Sequence, residues 1–157
     1  IWMYFPRTKR IRKLASHAKK QKMEGSDFSY EDMGSGNNFL ENYDSKRLED
    51  STIQKQDCYV IELNRKPDAG ISYAKLKMYI LKSNYVPIRI EYYDDKSGVH
   101  TKTLTQYEIQ DIDGIHTGMK MIMKNERDNT ETSVKFLKVK YNLELDDTMF
   151  TERGLKK

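Results

Sequence analysis

The chain has 157 residues, of which 33% are charged and 37% are hydrophobic, and this composition predicts one domain with a modest core. The formal net charge is +4, but most basic residues alternate with apolar ones along predicted strands, so we interpret them as a solvated sheet face. Nucleic-acid binding, which needs a concentrated basic patch with interleaved aromatic residues, is not indicated. The single cysteine, Cys58, excludes an internal disulfide and a CxxC metal site.

The first predicted element is a short hairpin. Residues 1–5 form an aromatic strand that Pro6 ends, and residues 11–14 return as its partner. Basic residues concentrate around this hairpin, and two interpretations stay open: a contact with acidic head groups or a partner protein, or a solvated surface. The candidate contact residues are Arg7, Lys9, Arg10 and Arg12.

A polar loop over residues 15–25 leads into a segment that is too apolar for a free loop. A Ser or Asp before this segment is an N-cap signal, and we expect a short helix over residues 29–33 that the run Gly34-Ser35-Gly36 ends. We expect the segment to pack over a sheet as a lid, with these candidate residues: Phe28, Tyr30, Met33 and Phe39.

Two strands are predicted between the lid and the centre of the chain. The first is irregular, over residues 42–50, with Tyr43 and Leu48 packed inward, and the second covers residues 58–64. Cys58 begins the second strand, and we interpret it as a buried, inert thiol.

The centre of the chain, residues 72–141, predicts an antiparallel meander. Alternation of apolar and polar residues predicts strands over residues 73–81, 87–93, 99–112 and 115–125, and polar turns with glycine at 94–98 and 113–114 join them. In a further strand over residues 130–141 the apolar face changes near Phe136, where we expect a bulge or bend that curves the sheet. After it, Asp146 or Asp147 is predicted to cap a short helix held by Phe150.

No catalytic pattern is found. His17, His100 and His116 lack the spacing of metal ligands, and neither GxSxG nor a phosphate-binding glycine loop occurs. The neighbouring carboxylates Glu31 and Asp32 do not face each other on a helix. We therefore expect a non-enzymatic protein without a cofactor or metal.

Several blocks of the sequence resemble one family. They are WMYFP (2–6), KRIRK (9–13), GSDFSYEDM (25–33), DCYVIEL (57–63), PIRIEYYD (87–94), IDGI (112–115) and DDTMFTER (146–153), of which the third is the most specific. Together they resemble the outer-membrane lipoprotein-sorting protein family, in a divergent branch of the LolA-like and LolB-like superfamily. His116 and Gly118 depart from the pattern, because the family more often has an aromatic residue and a proline there, which puts the start of that strand in doubt.

The resemblance implies a mainly β protein with short helices, in which a curved antiparallel sheet forms an incomplete barrel and short helices and loops cover its concave face. It implies a periplasmic carrier of lipoproteins or other lipids, which works in outer-membrane lipoprotein sorting or lipid transport. Residues 1–157 are then a single LolA-like domain that lacks the family's N-terminal portion and signal peptide. A sheet edge left uncovered in this way is expected to pair with a second copy of the chain.

Acyl chains need a concave apolar surface, and the alternating apolar positions of three strands are the candidate lining: Leu76, Met78, Ile80, Ile88, Ile90, Tyr92, Met119, Met121 and Met123. Flexible methionines suit chains of variable shape, although the same stripe also fits an ordinary core. The alternative function is a periplasmic protein-binding module that docks an envelope transporter, such as an inner-membrane exporter, without lipid cargo. A continuous apolar cavity favours the carrier, and a packed core favours docking alone.

Overall fold

The computed structural model describes residues 1–34, 38–94 and 98–156. It contains two antiparallel sheets. The smaller sheet is the N-terminal hairpin of β1 (Trp2–Phe5) and β2 (Arg10–Lys13). The centre of the predicted turn at 94–98, and the end of the lid helix that was predicted at Ser35 and Gly36, lie outside the described residues.

The larger sheet is antiparallel throughout and has the order β10-β9-β8-β7-β6-β5-β3, with β4 also paired to β5. Its strands are β3 (Tyr43–Arg47), β4 (Ser51–Ile53), β5 (Gln56–Arg65), β6 (Tyr73–Leu81), β7 (Pro87–Asp94), β8 (His100–Ile112), β9 (Ile115–Asn125) and β10 (Thr130–Lys135). Among the described strands, the edge strands β3 and β10 do not pair with each other. The sheet is therefore an incomplete barrel, which confirms the predicted fold class.

The last predicted strand was too long. It ends at Lys135, although the Phe136 N–H still donates to the Met119 carbonyl oxygen at 2.8 Å. Leu137 is 91% exposed. The change of apolar face near Phe136 marks the point where the chain leaves the sheet. Of the two predicted alternatives, the structure has the bend, at Leu137, and no bulge in the pairing of β10 with β9.

The helices are all short. They are α1 (Tyr30–Gly34), α2 (Phe39–Asn42) and the 3-10 helices Ser16–Lys20, Asp147–Phe150 and Gly154–Lys156. Asp146 caps the second 3-10 helix by accepting from the Thr148 N–H at 2.8 Å, but Phe150 is 74% exposed, so the predicted packing of that side chain was wrong. No helix within the described ranges has both the length and the apolar composition needed to cross a bilayer.

Two apolar clusters occupy opposite faces of the larger sheet, because alternate side chains of a strand point to opposite sides. On β6, Leu76 and Met78 belong to the first cluster, and Tyr79 and Leu81 belong to the second. Cys58 is fully buried in the second cluster. The first cluster lies under the lid segment, which we define as residues 27–34.

A candidate ligand-binding cavity

A cavity of about 480 Å³ lies between the first cluster and the lid segment. Strands β6 to β9 form its floor with Leu76, Ile90, Tyr92, Leu104, Gln106, Met121 and Met123, and the lid segment and α2 contribute Phe28, Glu31, Asp32, Met33, Phe39 and Asn42. Tyr43, Ile71, Tyr73 and Pro87 complete the wall. Most of these side chains are apolar, and the volume falls in the range of about 300–1,000 Å³ that is usual for small-molecule sites.

The structure brings part of the predicted lining to this cavity, namely Leu76, Ile90, Tyr92, Met121 and Met123. Met78 is buried in the first cluster beneath the cavity, and Ile80 packs against that cluster. Met119 is also buried, but it lies outside the cavity wall.

Ile88 is the exception, because it lies on the opposite face of the sheet. Ile80 pairs with Pro87 and Tyr79 pairs with Arg89, so Ile88 is an extra residue in β7. In a bulge of this kind two successive side chains point to the same side of the sheet, here Ile88 and Arg89, whose guanidinium lies over the Tyr79 ring. The Ile88 side chain is therefore in the second cluster, and Pro87 faces the cavity.

The predicted lid residues differ in their roles. Phe28 is 2% exposed in the first cluster and also lines the cavity, together with Met33 and Phe39. The Tyr30 hydroxyl donates to Glu24 at 3.3 Å, and the Tyr30 side chain is not part of the cavity wall.

The first turn of α1 is closed by a capping box. The Asp32 N–H donates to the Ser29 hydroxyl oxygen at 3.1 Å, and the Ser29 N–H donates to Asp32 Oδ2 at 2.7 Å. These reciprocal bonds satisfy two backbone donors at the start of the helix. Ser29, which was predicted to be the first helical residue, is the N-cap.

Buried carboxylates connect the lid segment to the sheet at two ends. Asp27, which is 4% exposed, accepts from the Thr130 and Thr132 hydroxyls of β10 at 2.7 and 2.9 Å. Glu31, which is 7% exposed, accepts from the Ser72 N–H at 2.8 Å and from the Ser72 hydroxyl. The lid segment is thus held both at β10 and at the start of β6.

Asp32 makes the third connection, at the cavity itself. It accepts from the Tyr73 hydroxyl at 2.8 Å and forms an ion pair with Lys102 Nζ at 2.9 Å. The side chains of Asp32 and Lys102 are 2% and 13% exposed. Because Tyr73 is on β6 and Lys102 is on β8, this one carboxylate joins the lid segment to two strands.

Burial and the neighbouring groups act together on the pKa values of Tyr73 and Asp27. Burial, and then the neighbouring Asp32 carboxylate, raise the pKa of Tyr73, so its hydroxyl remains a donor. For Asp27, burial alone would raise the pKa, but hydrogen bonds from Thr130 and Thr132 and the charge of Lys22 outweigh it and hold the pKa below its usual value.

Several cavity residues were not predicted from the sequence, among them Leu104 and Gln106 of β8 and two tyrosines, Tyr43 and Tyr73. Leu104 lies between Lys102 and Gln106 on one face of β8, and because both neighbours are polar the sequence indicates a solvated face. The signal that identifies it is the ion pair of Lys102 with Asp32, which is 70 residues away in sequence. Sequence periodicity does not show such a distant neutralising partner.

The predicted contact residues of the hairpin lie beside the C-terminal tail. Lys9, Arg10 and Arg12 line an open groove of about 590 Å³ together with Arg153 and Lys156, and with Ile11 and Glu152, whereas Arg7 is outside it. The two basic ends of the described chain therefore form one charged surface.

Comparison with known proteins supports one family. A family model whose description reads only "uncharacterized protein" matches residues 1–157, and no curated protein matches the chain. The crystal structure of a domain from Vibrio parahaemolyticus, named for outer membrane lipoprotein sorting, is 29% identical with a TM-score of 0.89 and aligns 99% of this chain with 65% of its own length.

Two further crystal structures are similar. A DUF1329 family protein from Desulfovibrio piger is 25% identical with a TM-score of 0.92, and 98% of this chain covers 63% of it. A LolA superfamily protein from Nitrosomonas europaea is 24% identical with a TM-score of 0.71, over 98% of this chain and 67% of that one, and at this identity the likeness concerns the fold. The chain spans less than two thirds of the length of the Vibrio and Desulfovibrio proteins.

Proposed function

Because this chain belongs to a divergent LolA-like family, we propose that it is a non-enzymatic lipid carrier that holds an acyl chain in the cavity under the lid segment. The observation that carries this proposal is the apolar cavity of about 480 Å³ between the sheet and a separate covering segment. This cavity adjoins the packed first cluster, and a continuous apolar space of this kind favours the carrier over docking alone.

The size of the cavity suits one acyl chain. A methylene takes up roughly the 30 Å³ that a water molecule occupies in the liquid, so there is room for about 16 chain carbons. Burial contributes about 0.8 kcal/mol per methylene, so ten buried methylenes contribute about 8 kcal/mol before the costs of binding are subtracted. Such a carrier needs an opposing contribution for release, and the hydrogen bonds and the ion pair of the lid segment supply it when the lid closes on an empty cavity.

We place this carrier in the periplasm, with outer-membrane lipoprotein sorting or lipid transport as its role, on the strength of its family. The resemblance of the Vibrio domain, named for lipoprotein sorting, supports this role. Further partners in the proposal are an inner-membrane exporter and a second copy of the chain at an unpaired sheet edge, β3 or β10. A strictly monomeric elution profile would count against the second copy.

The test is native mass spectrometry, with lipid extraction, of protein purified from a Gram-negative host without added lipid. We expect co-purified lipid in the wild type and its loss in Met121→Lys, because a charge in the cavity floor opposes an acyl chain. Ile122→Lys is the matched control, since Ile122 is the next residue of β9 and faces a separate surface groove. An apo mass for the wild type that persists after lipid is added would overturn the carrier proposal.

A second candidate function rests on the basic groove of the hairpin and the tail. Its five cations, Lys9, Arg10, Arg12, Arg153 and Lys156, against one carboxylate, Glu152, favour an acidic partner. Reversing the charges of Arg10 and Arg12 is expected to weaken docking to such a partner and to leave lipid uptake unchanged. Loss of lipid uptake in that variant would argue against a separate docking surface.

A further inference from the structure

A second cavity, of about 510 Å³, adjoins the first and is lined by polar and charged residues together with Tyr73. Glu31 and Tyr73 line both cavities. The ion pair of the lid segment lies at the same boundary, with Asp32 in the wall of the first cavity and Lys102 in the wall of the second. An apolar space and a polar space of similar size therefore meet at one partition, which is the arrangement that an amphiphile requires.

The charges around the polar cavity are balanced. Its cations are Lys20, Lys102 and Arg127, and its carboxylates are Glu31, Asp94 and Asp128. Arg127 pairs with Asp94, and Asp128 accepts from Asn125 at 2.9 Å and from the Lys22 ammonium at 3.1 Å. Because most of these charges are in ion pairs, a ligand that carries both signs can exchange with them without leaving a charge uncompensated.

One cation of this lining has no partner among the residues that the structure describes. Lys20 ends the 3-10 helix Ser16–Lys20, and its ammonium makes no hydrogen bond or ion pair with any other residue that the structure describes. Lys102 lies at the partition, because its partner Asp32 lines the apolar cavity. These two ammonium groups offer an anion a site at the point where a lipid chain leaves the first cavity.

We infer that the polar cavity binds the head group of the same lipid whose chain fills the apolar cavity, and that this head group contains a phosphate and a primary amine. The inference rests on the proposed carrier function. The phosphate contacts Lys20 and Lys102, and the ammonium contacts the carboxylates of Asp94 and Asp128. Since the apolar cavity has room for about one chain, the ligand is a single-chain zwitterionic phospholipid, of which lysophosphatidylethanolamine is the simplest.

Three probes with the same acyl chain separate the parts of this inference. Lysophosphatidylethanolamine has phosphate and amine, lysophosphatidylglycerol has phosphate without amine, and monoacylglycerol has neither. Titration calorimetry below their micelle-forming concentrations is expected to rank them in that order, with about tenfold between the first and the last and about threefold between the first two, as is usual for partly exposed charge pairs.

Matched variants test the residues. We expect Lys20→Gln to weaken lysophosphatidylethanolamine binding about threefold and to leave monoacylglycerol binding unchanged. Lys138→Gln removes the same charge from an exposed position outside both cavities and is expected to change neither. Asp128→Asn keeps an acceptor for Asn125 and is expected to remove the preference for the amine.

The outcomes distinguish this inference from the function on which it rests. Equal affinity of all three probes, with no effect of Lys20→Gln, would overturn the head-group site while acyl-chain binding stands. Equal affinity of the two phospholipids would overturn the amine contact. If no probe binds, the carrier proposal itself fails.

Discussion

At the scale of single residues, Asp32 shows how a charge is accommodated beside an apolar cavity. Its carboxylate accepts hydrogen bonds from the Ser29 backbone N–H, the Tyr73 hydroxyl and the Lys102 ammonium. A buried carboxylate without such partners is costly, and a buried ammonium is equally so. The informative measurement is therefore the loss of stability when one partner of the pair is removed, and not the net contribution of the intact pair.

Asp32→Asn leaves the Lys102 ammonium buried without its counter-charge, and we expect the free energy of unfolding to fall by about 3 kcal/mol. Adding Lys102→Met removes the unpaired ammonium and is expected to recover part of this loss. Urea denaturation measures both variants. Lys124→Met, which breaks the exposed pair of Lys124 with Glu126 (46% and 24% exposed), is the control and is expected to cost under about 1 kcal/mol. A loss for Asp32→Asn no larger than this control would contradict a structural role for the pair.

At the scale of elements, the lid segment is attached at its start to the edge strand β10 through Asp27. The folded-state pKa of Asp27 is lowered, so its contribution to stability is complete above the pKa of the unfolded chain and is lost as the pH falls through the folded-state value. For an aspartate this loss lies below about pH 4. Acid is therefore expected to loosen the lid segment at its β10 end.

Asp27→Asn tests this acid dependence. We expect the difference in unfolding free energy between wild type and variant to be largest at neutral pH and to shrink below about pH 4, because protonation removes the same charge from the wild type. The lowered pKa values of Asp50, Glu126 and Asp146 are common to both proteins and cancel in the difference. Urea titrations across the pH range measure this difference in unfolding free energy. Asp68→Asn, at an exposed loop position, is the control. A difference that does not vary with pH would rule out the charge of Asp27 as the cause.

The elements themselves were largely predictable from the sequence. The bounds of β6 and β9 agree with the predicted strands, since both alternate regularly between turns with clear signals. Ile88 was not predictable, because the pattern of Ile88, Ile90 and Tyr92 is regular in sequence and only the pairing with β6 shows that Ile88 is an extra residue. The part of the cavity formed by Leu104, Tyr43 and Tyr73 was missed for a related reason. Long-range packing decides which face of a strand with mixed polar and apolar residues is buried.

At the scale of the whole molecule, Cys58 reports on global unfolding. It is fully buried near the start of β5, and burial raises the pKa of its thiol, so little reactive thiolate exists and reagents have no access. We expect thiol labelling of the native protein to be slow, to accelerate in urea with the unfolded population, and to slow again when an acyl ligand binds the folded state. The chain has one cysteine, so no second thiol contributes. Rapid labelling without urea would contradict this account.

The unpaired edges of the sheet have a consequence for the range of cargo. In a closed barrel the number and stagger of the strands fix the diameter, so a bulkier guest needs broken ladder hydrogen bonds. Among the described strands, β3 and β10 are not joined. The curvature of the larger sheet can then change without breaking hydrogen bonds between strands. A flatter sheet leaves a larger space under the lid segment. For the proposed carrier, tolerance of acyl chains of unequal bulk is thus expected to depend on how easily the sheet flattens, and not on the proposed head-group contacts.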